Sequence, residues 1–216
     1  MTNEADFQVS VDAGCRVEIV RRDRFRTSRW RNGGGVTHEA VRRPANGERF
    51  DWRVSVAEIG ASGPFSAFDG YRRHMLLLRG AGLELRFADG RLEGLAHGGD
   101  LVAFAGAPPP DCRLAAGACV DLNLISAAGI PVETWVLRDA RPLDVAVERG
   151  NVVLAFGIDA SGTVEVPSAS PGRIEPSDLA IVDVVSAGRI RARALACPPA
   201  GALFLAKLAP SEGGMG

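Results

Sequence analysis

The sequence predicts an all-β protein built from two related β-barrels, and three observations carry that prediction. Short segments alternate apolar and polar side chains along most of the chain, separated at close spacing by Gly, Pro, Asn and Asp turn signals. No stretch keeps the 3.6-residue period of an amphipathic helix. A polar turn ending in aspartate before an apolar run occurs twice, as A-H-G-G-D-L-V-A-F (96–104) and as I-E-P-S-D-L-A-I-V-D (174–183). Such an echo implies a duplicated structural unit.

Taken in order, residues 1–16 read as an acidic N-terminal extension without apolar pattern. Residues 17–130 form the N-terminal barrel, 131–209 the C-terminal barrel, and 210–216 a frayed tail. The first strand is expected at 17–20. The charged run R-R-D-R-F-R-T-S-R then links it onward, with Thr27 or Ser28 able to cap a turn. A strand at 36–41 meets the turn Arg43-Pro44-Ala45-Asn46-Gly47, so 50–59 returns antiparallel. Residues 60–70 are a Gly, Ser and Pro loop that carries Phe65 and Phe68. Strands follow at 71–78 and 82–87, the Asp89-Gly90 turn, and then strands at 101–104, 111–114 and 118–125. The second half repeats the pattern at 134–137, 152–156, 163–166, 179–183, 189–196 and 202–208.

Composition narrows the function classes. With 46% hydrophobic and 24% charged residues in 216, a normal core is expected and disorder is not. The formal net charge is −1 and Lys207 is the single lysine, so no basic surface for nucleic acid is expected. Cys15, Cys112, Cys119 and Cys197 show no metal or disulfide spacing and fit free thiols in a reducing cytosol. The N-terminus lacks the basic and apolar regions of a signal peptide, and no apolar run is long enough to span a bilayer. A soluble, cytoplasmic protein without membrane contact is the expectation. Exposed strand edges leave homodimerisation open.

The chemistry concentrates between Trp30 and Phe68 and on one later strand. In W-R-V-S-V-A-E-I, Trp52, Val54 and Val56 point one way, while Arg53, Ser55 and Ala57 point the other. In C-V-D-L-N-L-I, Asp121 and Asn123 share a face opposite Val120, Leu122 and Leu124. Three glycines, Gly33, Gly34 and Gly35, sit between Asn32 and Thr37, where backbone must approach another group or take positive φ. Arg53, Ser55, Ser66, Arg73, Asp121, Asn123 and Asn32, interleaved with Trp30, Phe65 and Phe68, form a polar set inside apolar walls. Arginine beside hydroxyl and amide groups in such a setting suits a small carboxylate. The structural alternative is a buried ion pair such as Arg53 with Asp121, locking two strands. The glycine run lacks the G-K-[ST] of a phosphate loop, no G-x-S-x-G elbow occurs, and Ser66 has no evident base. His38, His74 and His97 lie far apart in sequence with no H-x-H, so neither a metal nor a cofactor is expected.

A barrel pair of this kind resembles the cupin architecture. Five motifs also resemble, in order and spacing, the HutD/Ves family: W-R-N-G-G-G-V-T-H-E, W-R-V-S-V-A-E-I, G-P-F-S-A-F-D-G-Y-R-R, L-A-H-G-G-D-L-V-A-F and G-A-C-V-D-L-N-L-I. They span residues 30–125, and the second half matches only in general pattern. The resemblance implies a metal-independent bicupin that governs histidine catabolism rather than acting as a pathway enzyme. It places Trp30, Asn32, Thr37, Glu39, Arg53, Ser55, Phe65, Ser66, Phe68, Arg73, Asp121 and Asn123 in the family's motif positions. Asp69 stands where the family usually has proline and Arg72 where it has an acidic residue, while Leu124-Ile125-Ser126 replaces a Met-and-arginine continuation.

The sequence reading is a non-catalytic protein whose N-terminal barrel binds a small carboxylate such as a formyl- or formimino-glutamate and thereby regulates histidine utilisation. Arg53 and Arg73 neutralise the carboxylates, Ser55, Ser66 and Asn123 orient them, and Trp30, Phe65 and Phe68 form the walls. Two alternatives stand beside it: a metal-independent isomerase or hydrolase with Glu39 or Asp121 as base, and a structural protein acting through a partner.

Overall fold

A computed structural model describes residues 9–12, 14–166, 172–195 and 201–210. Two units divide the chain, one of Phe25–Gly129 and one joining Met1–Arg24 to Ile130–Gly216. The first contains β3 (Arg26–Arg29), β4 (Gly35–Arg43), β5 (Trp52–Ile59), β6 (Gly63–Pro64), β7 (Tyr71–Arg79) and β8 (Leu83–Arg86). It continues with β9 (Leu92–Leu95), β10 (Leu101–Ala105), β11 (Asp111–Leu114) and β12 (Cys119–Ala127). The second contains β1 (Val9–Asp12) and β2 (Cys15–Val20), then β13 (Val132–Leu137), β14 (Leu143–Val147), β15 (Val152–Ile158) and β16 (Ser161–Glu165). Its last strands are β17 (Gly172–Ile174), β18 (Leu179–Val184), β19 (Gly188–Leu195) and β20 (Ala202–Leu208). Among the described residues no helix is long and apolar enough to cross a membrane.

The internal echo is architectural. In the first unit the larger sheet runs β10-β7-β12-β5-β4-β3 and the smaller β6-β11-β8-β9. In the second the corresponding orders are β18-β15-β20-β13, extended by β2 and β1 beyond β18, and β14-β19-β16-β17. Every strand from β5 to β12 thus has a counterpart eight strands later. Asp100 and Asp178, the aspartates of the two similar segments, each stand one residue before the equivalent strands β10 and β18. The hydrogen-bonded strand orders form two open sheets per unit, not one closed ring.

The strand expected to open the N-terminal barrel belongs elsewhere. β2 pairs antiparallel with β18, Val17 opposite Val182, and contributes Val17 and Ile19 to the second unit's apolar core. Arg21 Nη1 donates to Asp178 Oδ2 at 2.6 Å, and the Arg22 amide donates to Asp178 Oδ1 at 3.0 Å, which pins the exit of that strand. Part of the expected N-terminal extension is also a strand, since β1 pairs with β2. The expected tail after Pro210 and Cys197 lie outside the described residues.

Both turn signals take the backbone conformation their glycines allow. Gly47 has φ +97° in the β4–β5 connection, and Gly90 has φ +86° between β8 and β9. In the first unit the inner apolar cluster gathers Ile59, Met75, Leu77, Leu83, Leu85, Leu95 and Phe104. In the second unit the positions equivalent to Arg73, Met75, Asp121 and Asn123 are Val153, Ala155, Leu203 and Leu205, apolar side chains within its own core. The face is not wholly apolar there: Glu133 and Lys207, in the register positions of Arg53 and Ile125, form an ion pair with each other.

Candidate functional site

Strand register builds the site. On β12, Ile125 lies opposite Arg53 of β5 on one side and Arg73 of β7 on the other. One row further, Asn123 lies between Ser55 and Met75, with Glu39 of β4 beyond Ser55. The next row holds Asp121 between Ala57 and Leu77, with Thr37 beyond Ala57 and Ser28 of β3 beyond Thr37. Residues directly opposite share a face, so three rows of mixed polar and apolar groups look inward together.

They open onto a cavity of about 480 Å³. Ten of the twelve residues expected at the site line it: Trp30, Asn32, Thr37, Glu39, Arg53, Phe65, Ser66, Phe68, Arg73 and Asn123. The other two do not: Ser55 and Asp121 are fully buried behind the wall. The cavity also takes in Ser28, Arg29, Arg31, Ala57, Pro64 and Ile125. The period-2 alternation marks Ala57 and Ile125, which share faces with Arg53 and Asn123. Nothing local marks Ser28, Arg29 or Arg31, whose position depends on the register of β3.

Asp121 is the buried end of a relay. Its Oδ2 accepts from Asn123 Nδ2 at 2.6 Å, and Asn123 Oδ1 accepts from Arg73 Nε at 2.6 Å. Arg73 Nη2 stands 3.8 Å from Asp121 Oδ2. The buried partner of Asp121 is thus Arg73, and the ion pair anticipated with Arg53 does not form. Arg53 instead stands 4.0 Å from Glu39 and is stacked between two rings, 5.5 Å from the Phe50 centroid and 5.1 Å from that of Phe68. The Arg73 guanidinium lies 4.3 Å from the Phe65 centroid. Aromatic faces hold both cations by cation–π attraction while leaving their remaining N–H groups available.

Burial dominates the electrostatics. It lowers Arg73 from its ordinary value to about 10 against the opposing pull of Asp121, so the guanidinium stays charged at neutral pH. Burial likewise lowers Arg53, with Glu39 opposing. Asp121 is raised from 3.8 to about 6, because desolvation outweighs Arg73 and the Asn123 hydrogen bond. Four arginines and one glutamate line the cavity, which therefore attracts anions.

The glycine run and the loop at 60–70 shape the walls. A Cβ at Gly35 would collide with the Glu58 carbonyl oxygen and stand 3.0 Å from the Trp30 ring, so only glycine lets β4 pass there. Gly33 takes φ +70° in the turn. The Trp30 indole Nε1 donates to Thr37 Oγ1 at 2.8 Å, fixing that wall. On the other side, the Phe68 amide donates to the Gly106 carbonyl at 2.8 Å, and the Gly106 amide donates to the Tyr71 carbonyl at 2.8 Å.

The three histidines stay apart in the fold. His38 accepts or donates between Thr27 Oγ1 and Glu58 Oε1, each at 2.9 Å, while His74 is buried in β7 and His97 precedes β10. Among the described residues no three His, Cys, Asp or Glu side chains gather as a metal site.

Comparison with known proteins gives a consistent set of relatives. The family model described as HutD matches residues 22–197. An uncharacterised 21.2 kDa protein from the region 3′ of hutC in Pseudomonas putida is 38% identical over 112 residues, which is 51% of this chain and 58% of that protein. The match thus spans little more than half the length of that curated relative. The crystal structure of a conserved protein of unknown function from Pseudomonas aeruginosa is similar with a TM-score of 0.78 and 28% identity, covering 89% of this chain and 98% of the other. HutD from Pseudomonas fluorescens, in a formate condition, is similar with a TM-score of 0.75, 28% identity and the same two coverages. A glyoxylate-induced protein from Pseudomonas aeruginosa, with a TM-score of 0.61 and 10% identity over 95% of this chain and 92% of that one, shares the fold alone. The fold is all-β and cupin-like.

Proposed function

The chain belongs to the HutD family, and from that premise we propose that its first unit binds a small carboxylate metabolite and so governs histidine utilisation in the cytoplasm. The observation that carries this reading is the pair of partly or fully buried arginines, Arg53 and Arg73, facing one cavity with their charge held by aromatic rings and by Glu39 and Asp121. A volume of about 480 Å³ suits a metabolite rather than a macromolecule. In this reading the two sheets of the first unit act as a cupin-like barrel with the pocket on its inner side. Asn123 orients Arg73, Ser66 and Asn32 supply hydrogen bonds at the rim, and Trp30, Phe65 and Phe68 form the walls. A formyl- or formimino-glutamate fits the demand for anionic groups together with a polar tail.

Calorimetric titration with histidine, urocanate, formimino-glutamate, formyl-glutamate and glutamate tests the proposal. Saturable binding of one dicarboxylate is expected. Removing one charged hydrogen-bonding partner in Arg53→Ala or Arg73→Gln costs about 1.5–3 kcal/mol, so affinity should fall roughly tenfold to a hundredfold. No heat with any of the five would overturn it. A catalytic reading has one observation in its favour: Glu39 is on the cavity wall, where a general base would have to be. Turnover of any of these compounds that is lost in Glu39→Gln would replace binding by catalysis.

A further inference from the structure

We propose that the first unit takes up a proton as it binds a carboxylate, and that Asp121, acting through Asn123 and Arg73, is the positioning residue that receives it. The inference rests on the carboxylate-binding reading above and adds the coupling of that binding to pH.

Buried charge must balance. Arg73 and Asp121 are both buried, and together they cancel. They do not touch directly: Arg73 Nη2 stands 3.8 Å from Asp121 Oδ2, and Asn123 bridges the two with a 2.6 Å hydrogen bond on each side. Among the described residues the terminal nitrogens of Arg73, which lines the cavity, hold no hydrogen bond, so a carboxylate in the cavity meets a charged donor there. Once it binds, one guanidinium faces two carboxylates and the buried set carries an excess negative charge. A like charge this near raises a carboxyl by about one to three pH units. A proton on Asp121 restores the balance.

Asp121 can take that proton without disturbing the relay. Its Oδ1 is buried and, among the described residues, has no hydrogen-bond partner, whereas Oδ2 accepts from Asn123. Protonation at Oδ1 therefore leaves Asn123 holding Arg73. Burial already places this carboxyl at about 6 before any ligand arrives. The groups around it are few. β5 presents Ala57 directly opposite and Ser55 beside it, and β7 presents Leu77. Cys112 of β11 is raised to about 12 and stays neutral. Cys119 of β12 donates its thiol proton to the Gly82 carbonyl at 3.4 Å. β8, β9 and β10 turn leucine, valine and phenylalanine toward the same cluster. Arg53 and Glu39, on the cavity wall, stand 4.0 Å from each other.

The test titrates the full chain with formyl-glutamate and with glutamate from pH 6 to 8, in Bis-Tris and in Tris, cationic buffers of different ionisation heat. The carboxylates of both compounds stay charged over this range. About half a proton or more should be absorbed per ligand at pH 7, and affinity should fall about fivefold to twentyfold from pH 6 to 8. An infrared difference spectrum should show a protonated-carboxyl band on binding, displaced in protein grown with carboxyl-13C aspartate. Asp121→Asn, neutral throughout, should bind with one affinity across the range and absorb no proton. At pH 8 it should bind more tightly than the unaltered chain, which loss of a merely structural contact would not produce. Equal heats in the two buffers with affinity flat across the range would overturn the inference and leave the binding reading standing. Uptake that persists in Asp121→Asn, or a band that ignores the aspartate label, would give the proton to another group and overturn it too. No saturable binding of either compound at any pH would remove the inference, whereas the binding reading falls only with all five compounds. The buffer and infrared measurements use the unaltered chain, so the conclusion does not depend on the variant folding.

Discussion

Replacing Asp121 by asparagine should remove a specific pH dependence of stability. Asp121 is fully buried in the first unit, and burial raises its carboxyl from 3.8 to about 6 despite Arg73. The folded state therefore holds this proton more tightly than the unfolded state does. The group's contribution is fully present below pH 3.8 and is lost as pH rises through about 6. Each tenfold difference in proton affinity between the two states is worth about 1.4 kcal/mol, so the loss across this window is about 3 kcal/mol. Asparagine keeps an amide oxygen where Asp121 Oδ2 accepts the 2.6 Å bond from Asn123, but it has no proton to exchange. Other groups are shifted by folding as well. Exposed Asp139, Asp144 and Glu175 are lowered by hydrogen-bonding partners, chiefly arginines, and His74 is lowered to about 4 by burial and Arg72. All four are unchanged in the variant and cancel in the difference. Urea unfolding of both proteins at half-unit steps from pH 4 to 7 reads that difference. The unaltered chain should lose about 2–3 kcal/mol relative to Asp121→Asn between pH 4 and 6.5. Stability curves that stay parallel across the range would refute the buried-carboxyl reasoning and the relay built on it.

Three further outcomes follow from the geometry. Gly106→Ala places a Cβ against the Phe68 carbonyl oxygen and 2.9 Å from the Phe68 Cβ. The loop must move, so thermal unfolding should show a loss of about 1–3 kcal/mol together with weaker dicarboxylate binding. Trp30→Phe deletes the indole donor to Thr37 Oγ1 and should cost about 1 kcal/mol in urea unfolding. Because Trp30 lines the cavity, the same variant should abolish any ligand-induced change in tryptophan fluorescence. The Cys112 thiol is pushed up to about 12 by burial, with Asp121 and Cys119 adding to the shift, so iodoacetamide at pH 8 should leave Cys112 unlabelled in the folded chain and label it in urea, as site-resolved mass spectrometry would show.

Much of this protein was legible in its residues because strand alternation is a local signal. A period of two separates Arg53, Ser55 and Ala57 from Trp52, Val54 and Val56 whatever the rest of the chain does, and it likewise groups Asp121 with Asn123. The Asn46-Gly47 and Asp89-Gly90 turns state their backbone conformation directly, since positive φ suits glycine. The duplicated aspartate before β10 and β18 exposed the repeat. β3 escaped detection because Arg-Thr-Ser-Arg has no apolar face; it is a strand only because β4 offers it a ladder. The partner of each strand and of each charge was decided by tertiary structure alone. Val17 and Ile19 are as apolar as any first-unit strand, yet β2 joins β18, where Asp178 holds the two arginines that follow it. Asp121 was equally open to Arg53 or Arg73 in the sequence. Register places both arginines beside Ile125, on opposite flanks; Arg73 is joined to Asp121 through Asn123, whereas Arg53 stands by Glu39, Phe50 and Phe68. Periodicity determines which face a side chain takes, because that depends on its neighbours in the chain. Which groups meet across the face depends on strand order, a choice made by the burial of whole segments.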